Sequence, residues 1–282
     1  MINRLKTALL LGLLTVIIMI LGKILGGQTG LIIAFIIALV MNFGSYWLSD
    51  KIVLTMYRAK EVLPHEAPGL HRIVEELAYR ANIPKPKVYI IPSEAPNAFA
   101  TGRNPKNSAV AVTEGILNLL TEEELKGVLA HEIAHIKNRD ILIQTVAATL
   151  AAVIMFVSDM IRWGAIFGGF SSDDDDSPNI FVALIFAILA PIAAILIQLA
   201  ISRSREYLAD ATGAKLINNP YPLARALEKL DAYSKTIPLN MGSPATSHLF
   251  IVNPFSGRAL ITLFSTHPPI EERIKRLLSM GR

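Results

Sequence analysis

Val128-Leu129-Ala130-His131-Glu132-Ile133-Ala134-His135-Ile136-Lys137-Asn138 contains the pattern H-E-x-x-H. Residues four apart on a helix stand nearly one above the other, so His131 and His135 can aim two imidazoles at one metal ion. Glu132 lies about 100° further round the helix. There it can reach a water beside the metal without being a ligand. This is the zincin arrangement, and it requires a third protein ligand and an open fourth position.

The flanking residues make the stretch a helix. Thr121-Glu122-Glu123-Glu124 is a capping box: a Thr N-cap with Glu three positions on, ahead of an apolar run. Acidic residues crowd the first turn, where the helix dipole favours them. Leu125, Val128, Leu129 and Ile133 follow at helical spacing, with His131 and His135 on a different face. The competing reading is a soluble helix carrying two ordinary histidines.

Composition narrows the class. The chain has 282 residues, 52% of them hydrophobic, and a mean hydropathy of +0.45. That is too apolar for an ordinary soluble domain and points to membrane segments. Cysteine is absent, which excludes disulfides, thiolate zinc sites and thiol nucleophiles, so a metal must be held by His and carboxylates. The formal charge is +4. Its Lys and Arg flank apolar runs instead of forming a basic stretch interleaved with aromatics, which argues for membrane topology over nucleic acid.

Residues 7–22 and 29–49 read as two transmembrane helices, with Gln28-Thr29-Gly30 as the turn and Tyr46 and Trp47 at the interface. For the first of them, the rival is a signal peptide. A helix over 69–81 follows, then strands over Lys87–Ile91, Asn97–Gly102 and Ser108–Thr113, and a short helix over Gly115–Leu120. The strand starting at Asn97, Ala98, Phe99 and Ala100 is a candidate substrate edge. Its backbone can pair with an extended segment and hold a scissile bond over the metal; the alternative is an edge with no such role. Residues 141–158 and 180–201 are two further apolar runs, the second with Pro191 inside it. A buried helical hairpin is their rival reading. Asp173–Asp176 between them lacks calcium-loop spacing and reads as a solvated turn. Arg4, Lys6, Lys51, Arg58, Lys60, Lys137, Arg139, Arg203 and Arg205 fall on one side of these spans. Lys23, Arg162 and a cluster of acids fall on the other. The basic side is expected to be cytoplasmic.

Immediately after the fourth run comes Ser202-Arg203-Ser204-Arg205-Glu206-Tyr207-Leu208-Ala209-Asp210. Glu206 and Asp210 stand four apart. On one reading they lie on a solvated face paired with arginines. On the other, Glu206 is the third zinc ligand and Asp210 accepts a hydrogen bond from a ligating histidine, His131, fixing its tautomer. The H-E-x-x-H and a helix continuing an apolar run favour the second.

With these residues in place, the chain resembles the HtpX-type integral membrane zinc metallopeptidases, relatives of the CAAX prenyl proteases. The resemblance spans essentially the whole chain. It rests on the paired N-terminal spans, Asn97-Ala98-Phe99-Ala100-Thr101-Gly102, His131–His135 with Asn138-Arg139-Asp140, Ser202-Arg203 through Glu206 to Asp210, and Thr266-His267-Pro268-Pro269. It implies one zinc ion per chain, endopeptidase action on membrane proteins, and a role in quality control and the stress response. It also places His267 near the active site, steadying an oxyanion or modulating access; a packing or capping histidine is the alternative. Residues 236–257, with exposed-looking Leu249, Phe250 and Ile251, read as a mobile loop near the site or the membrane. His65, His71 and His248 have no metal spacing.

The expected fold is therefore a mainly α membrane protein with four transmembrane helices and an α+β, gluzincin-like catalytic domain carrying a small sheet. Residues 1–50 form a transmembrane hairpin, 51–140 the first catalytic part, 141–201 a second hairpin with an acidic outer loop, and 202–282 the second catalytic part. The expected activity is zinc-dependent cleavage of membrane-proximal cytosolic segments of misfolded or damaged membrane proteins, with Glu132 as the catalytic residue and His131, His135 and Glu206 on the metal. The alternatives are a prenyl-protein peptidase, against which four spans argue, and a non-catalytic zinc-dependent adaptor, which has no need of Glu132. The expected location is a multi-pass protein of the plasma (inner) membrane with cytoplasmic termini and active site. The lipid bilayer and membrane-protein substrates are its expected partners, nucleic acid is not, and the sequence leaves a homo-oligomer open.

Overall fold

The computed structural model describes residues 2–150, 154, 203–234, 249–251 and 268–281. The fourth apolar run, the acidic turn, His248 and His267 lie outside the described residues, as does most of the third run beyond Leu150.

Helix α1 covers Ile2–Met56, but it cannot be one straight rod. Asn42 donates to the Thr15 hydroxyl at 2.8 Å, whereas 27 residues of straight helix span about 40 Å. The reversal falls at Gly27, whose φ is +56°, a left-handed conformation that glycine adopts without strain. Gly22 and Gly30 meet backbone to backbone, leaving no room for a Cβ on either. The turn thus precedes the Gln28–Gly30 expected from the sequence. Residues Gly27–Met56 are the one helix among those described that is long and apolar enough to cross a membrane. Val40 and Phe43 on it are each 67% exposed, a surface that suits hydrocarbon and not water. At about 45 Å this helix exceeds the ~30 Å hydrocarbon layer. Its end runs into the protein, where Val53, Leu54 and Tyr57 are buried.

A four-stranded sheet follows, with β1 (Lys60–Glu61), β2 (Lys87–Ile91), β3 (Ala98–Asn104) and β4 (Asn107–Thr113) in the order β1-β2-β4-β3. β2 and β4 run parallel; the outer pairs are antiparallel. β3 is therefore an edge. Helix α2 (Pro68–Ala81) buries Leu70, Ile73, Val74 and Leu77 and stops at Asn82 with φ +55°. Helix α3 (Glu114–Leu119) is capped by the Thr113 hydroxyl, which accepts from Ile116 N–H.

Helix α4 (Glu122–Asn138) carries the reciprocal cap: Thr121 Oγ1 accepts from Glu124 N–H at 3.3 Å, and the Glu124 carboxylate accepts from Thr121 N–H at 2.9 Å. α4 is buried on nearly every side, not along one stripe, because it is wedged between the sheet, α2 and two later helices. These are α6 (Arg203–Ile217) and α7 (Tyr221–Ser234), against which α8 (Ile270–Met280) packs in turn. Each large apolar side chain it buries contributes about 1.5–3 kcal/mol.

α4 does not run on into the apolar stretch that follows. Arg139 adopts φ +59° and caps it. Asp140 then turns inward before α5 (Ile141–Leu150), whose side chains pack inside the protein. One core cluster joins Ala98 and Ala100 of β3 to α2, α4, α7 and Ile251. A second, on the other sheet face, joins Phe99 to Tyr57, Ala148, Leu249 and Phe250. Leu249, Phe250 and Ile251 are therefore core residues, not the exposed loop the sequence suggested.

Candidate metal centre

His131, His135 and Glu206 converge from α4 and α6, and all three are buried. The His131 and His135 Nε2 atoms stand 3.1 Å apart. His135 Nε2 lies 3.5 Å and His131 Nε2 3.7 Å from the Glu206 carboxylate oxygens. Donors at 2.0–2.1 Å from a tetrahedral zinc stand about 3.3 Å apart, so the triangle has the right edges.

The protons point to the same conclusion. His131 Nδ1 is 2.8 Å from Asp210 Oδ1, and His135 Nδ1 is 3.0 Å from Asp140 Oδ2. Each Nδ1–H is thereby donated to a carboxylate, which fixes the tautomer and leaves Nε2 a lone pair. Two lone pairs facing each other at 3.1 Å need a cation between them. In the metal-free protein a proton serves. Burial alone would lower His135, but the charges of Asp140 and Glu206 outweigh it and raise the imidazole to about 10. Burial holds His131 down and neutral against the pull of Asp210. A divalent ion fits the same surplus of carboxylates.

Glu132 is buried beside this triangle, with the Ala100 N–H of the edge strand near enough to favour its charged form. Burial pushes Glu132 up to about 8, helped by the Glu206 charge and opposed by His135 and that N–H. Along β3, Asn97 C=O accepts from Thr113 N–H of the neighbouring strand. Alternation therefore turns the backbone groups of Ala98 and Ala100 to the outer edge. Asn97 Oδ1 accepts from Ala98 N–H at 3.1 Å.

Two helix crossings set these distances. A Cβ on Gly213 of α6 would stand 2.9 Å from His131 N and 3.0 Å from the Ala130 carbonyl carbon. Only glycine lets α6 come close enough to bring Glu206 and Asp210 onto α4. A Cβ on Gly127 would meet the Leu223 backbone of α7.

Sequence reasoning did not single out Arg273 of α8. It is 0% exposed and grips both Asp210 oxygens at 2.8 and 2.9 Å. Its third nitrogen, Nη1, donates to the Ile251 carbonyl at 3.0 Å. Burial alone would raise the Asp210 carboxyl, but Arg273 and the His131 hydrogen bond hold it well below the usual carboxylate range. His71, by contrast, bonds only the Val62 carbonyl at 3.0 Å. The cavity at the cluster is filled by its own lining. Leu249, Phe250 and Ile251 meet His131, Glu132, His135, Gln144 and Glu206 without space for a water molecule among these described residues.

Comparison with known proteins gives the same chemistry a context. The chain matches Peptidase family M48 over residues 64–280. It is 62% identical over 276 residues to a protein named Protease HtpX homolog from Desulfatibacillum aliphaticivorans, covering 98% of this chain and 89% of that protein. A protein of the same name from Pyrococcus furiosus is 58% identical over 272 residues, covering 96% and 94%. Among solved structures, S. mikatae Ste24p resembles this chain with a TM-score of 0.51 at 20% identity, over 98% of this chain and 65% of that one. That likeness concerns the fold.

Proposed function

Since this chain belongs to peptidase family M48, we propose that His131, His135 and Glu206 hold one zinc ion and that Glu132 is the catalytic base of a membrane endopeptidase. Membership makes the protein a membrane metalloprotease, a hydrolase of peptide bonds. The assignment of zinc and of these residues is our reading. The observation that carries it is the convergence of two Nε2 atoms 3.1 Å apart on the Glu206 carboxylate, Oε1 at 3.5 Å from His135 and Oε2 at 3.7 Å from His131, with each imidazole held by a carboxylate on its far side.

Bound there, zinc would supply a Lewis acid that polarises the scissile carbonyl and makes a neighbouring water more acidic. Glu132 takes the proton from that water as it attacks and delivers it to the leaving amine nitrogen. The Ala100 N–H favours the charged form of Glu132. Asp210 and Asp140 accept the Nδ1–H of each imidazole and so aim its Nε2 inward as the metal-binding atom. The outer backbone edge of Asn97–Ala100 pairs with the substrate as an added strand. His267 keeps its proposed role at the oxyanion or in access.

The fuller architecture belongs to the same proposal. Residues 1–50 and 141–201 form two membrane hairpins, and 51–140 and 202–282 the two halves of a gluzincin-like catalytic domain. Both termini and the site face the cytoplasm at the inner membrane. The substrates are membrane-proximal cytosolic segments of misfolded or damaged membrane proteins, which makes quality control under stress the cellular role. The helix that leaves the membrane and ends in the core beside β3 supports a site close to the bilayer.

The test is purification in detergent with a chelator, then zinc add-back, comparing wild type with Glu132→Gln on an unstructured membrane-protein substrate. Wild type should cut only with zinc. Glu132→Gln should bind one zinc and cut at least about 10²-fold more slowly, whereas His135→Ala should lose both. Zinc binding without cutting by wild type, across several substrates, would favour the adaptor.

A further inference from the structure

We propose that Leu249-Phe250-Ile251 occupies the place of a substrate strand in its own active site, and that substrate must displace it with a bulky apolar side chain where Phe250 now sits. The inference rests on the peptidase reading above and adds the restraint and the side-chain preference of that site.

Three observations carry it. First, Ile251 N–H donates to the Ala98 carbonyl at 3.2 Å. That carbonyl belongs to the outer edge of β3, the edge an added strand would use. Second, Phe250 and Ile251 straddle the sheet. Phe250 packs with Phe99 on one face and Ile251 with Ala98 on the other, as successive residues of a strand do. Phe250 is caged by two rings, Tyr57 at 4.9 Å and Phe99 at 5.2 Å between centroids. Third, the three residues line, together with His131, Glu132, His135 and Glu206, a cavity with no room for a water molecule. A peptide that reaches Glu132 along the edge of β3 must displace them.

The tie is modest. Its described backbone bonds are Ile251 N–H to Ala98 and Ile251 C=O to Arg273, so a partner matching both the edge and the cage can replace it. Tyr57 follows directly on the membrane helix α1. The cage is thus built half from the sheet edge and half from the end of a membrane span. A segment of unfolded membrane protein, rich in aromatic and large aliphatic side chains, has the chemistry to fill it. A polar or glycine-rich segment does not.

The experiment compares full-length zinc-loaded wild type, Phe250→Ala and Ile251→Pro in detergent. Phe250→Ala empties the cage; Ile251→Pro deletes the N–H donor. One readout is independent of catalysis: the rate at which zinc is lost to a chelator. The other is the turnover of two unstructured peptides differing only in Phe or Gly at one position. Both variants should keep one zinc and release it at least about tenfold faster, because the closed population falls. Wild type should cut the Phe peptide in preference, and Phe250→Ala should cut both peptides faster than wild type does. Unchanged zinc release in both variants, or slower cutting with zinc intact, would overturn the inference. Faster zinc release in proteins that never cut any peptide would support the cover and refute the peptidase reading instead.

Discussion

Replacing Arg273 with leucine should destabilise the metal-free protein far more than an ordinary surface substitution on the C-terminal helix. The guanidinium is fully buried and makes two hydrogen bonds to Asp210, which is itself 3% exposed. Without it the Asp210 carboxylate loses its countercharge in a dry site, and stranding one member of a buried pair costs about 3–5 kcal/mol. For a protein near this size, each kcal/mol lowers the melting temperature by roughly 2–4 °C. A fall of roughly 6–20 °C is therefore expected for Arg273→Leu. Adding Asp210→Asn removes the stranded charge while keeping an acceptor for His131 Nδ1–H. The double variant should recover about 2–3 kcal/mol relative to the sum of the singles. Arg273→Lys should lie between, since an ammonium keeps the charge but cannot span both carboxylate oxygens and the Ile251 carbonyl. The assay is thermal unfolding of the five metal-stripped proteins (wild type, Arg273→Leu, Asp210→Asn, the double variant and Arg273→Lys) in one detergent. If Arg273→Leu melts within about 2 °C of wild type, or the two substitutions simply add, Arg273 is not what holds Asp210.

Gly213→Ala places a Cβ 2.9 Å from the His131 backbone nitrogen; α6 must move off α4 and carry Glu206 with it, so zinc affinity should fall on the order of tenfold or more, by analogy with perturbing a ligand's supporting shell. A competition titration with unchanged affinity would disprove that this contact sets the ligand spacing. Zinc uptake should release protons, because His135, ordinarily near 6.5, is raised to about 10 in the metal-free site by the Asp140 and Glu206 charges that outweigh burial. A raised folded value means that this histidine stabilises the metal-free protein fully below pH 6.5 and loses that contribution as pH rises toward 10. Apparent zinc affinity should accordingly climb by about tenfold per pH unit for each proton displaced. Calorimetry in two buffers of different ionisation heat will detect the proton, and identical heats would count against it. Thr121→Ala removes the cap hydroxyl of α4 and should cost about 1 kcal/mol, visible as a small melting shift with zinc stoichiometry unchanged; loss of zinc would mean that the cap reaches further than the first turn.

Local signals were legible in the sequence, and contacts between distant segments were not. The capping box, the strands of the sheet and the amphipathic face of α2 each follow from a period or a turn residue within a dozen positions. So do the two four-residue spacings that bring His131 over His135 and Glu206 over Asp210. The reversal at Gly27 was misplaced by a residue or two because apolar residues continue on both sides of it and only a left-handed φ marks it. The left-handed cap at Arg139 has no sequence signal, since arginine rarely adopts it; Asp140 supplies the reason by turning inward to His135. β1 has only two residues, too few for any period. Arg273 sits one residue after Glu271-Glu272 in a helix that reads as a surface element, and arginine is ordinarily exposed. Its partner Asp210 lies 63 residues away. Leu249–Ile251 looked exposed for the same reason: the Tyr57 and Phe99 rings that bury Phe250 come from far earlier in the chain.

Those distant contacts meet at one guanidinium. Arg273 holds Asp210, which holds His131, and with its third donor it holds the carbonyl of Ile251. Ile251 in turn occupies the edge of β3, whose Ala100 N–H favours the charged form of Glu132. The covering segment and the metal-holding hydrogen bonds thus share a residue, so displacing the segment frees one donor of Arg273 without unmaking its grip on Asp210. A substrate backbone lying where Ile251 lies would present a carbonyl to that same donor. Arg273 is in this sense placed to act twice, keeping the cover on the resting enzyme and receiving the strand that replaces it. Both roles depend on α8 lying against α6 and α7, which brings Arg273 to Asp210 and Ile251.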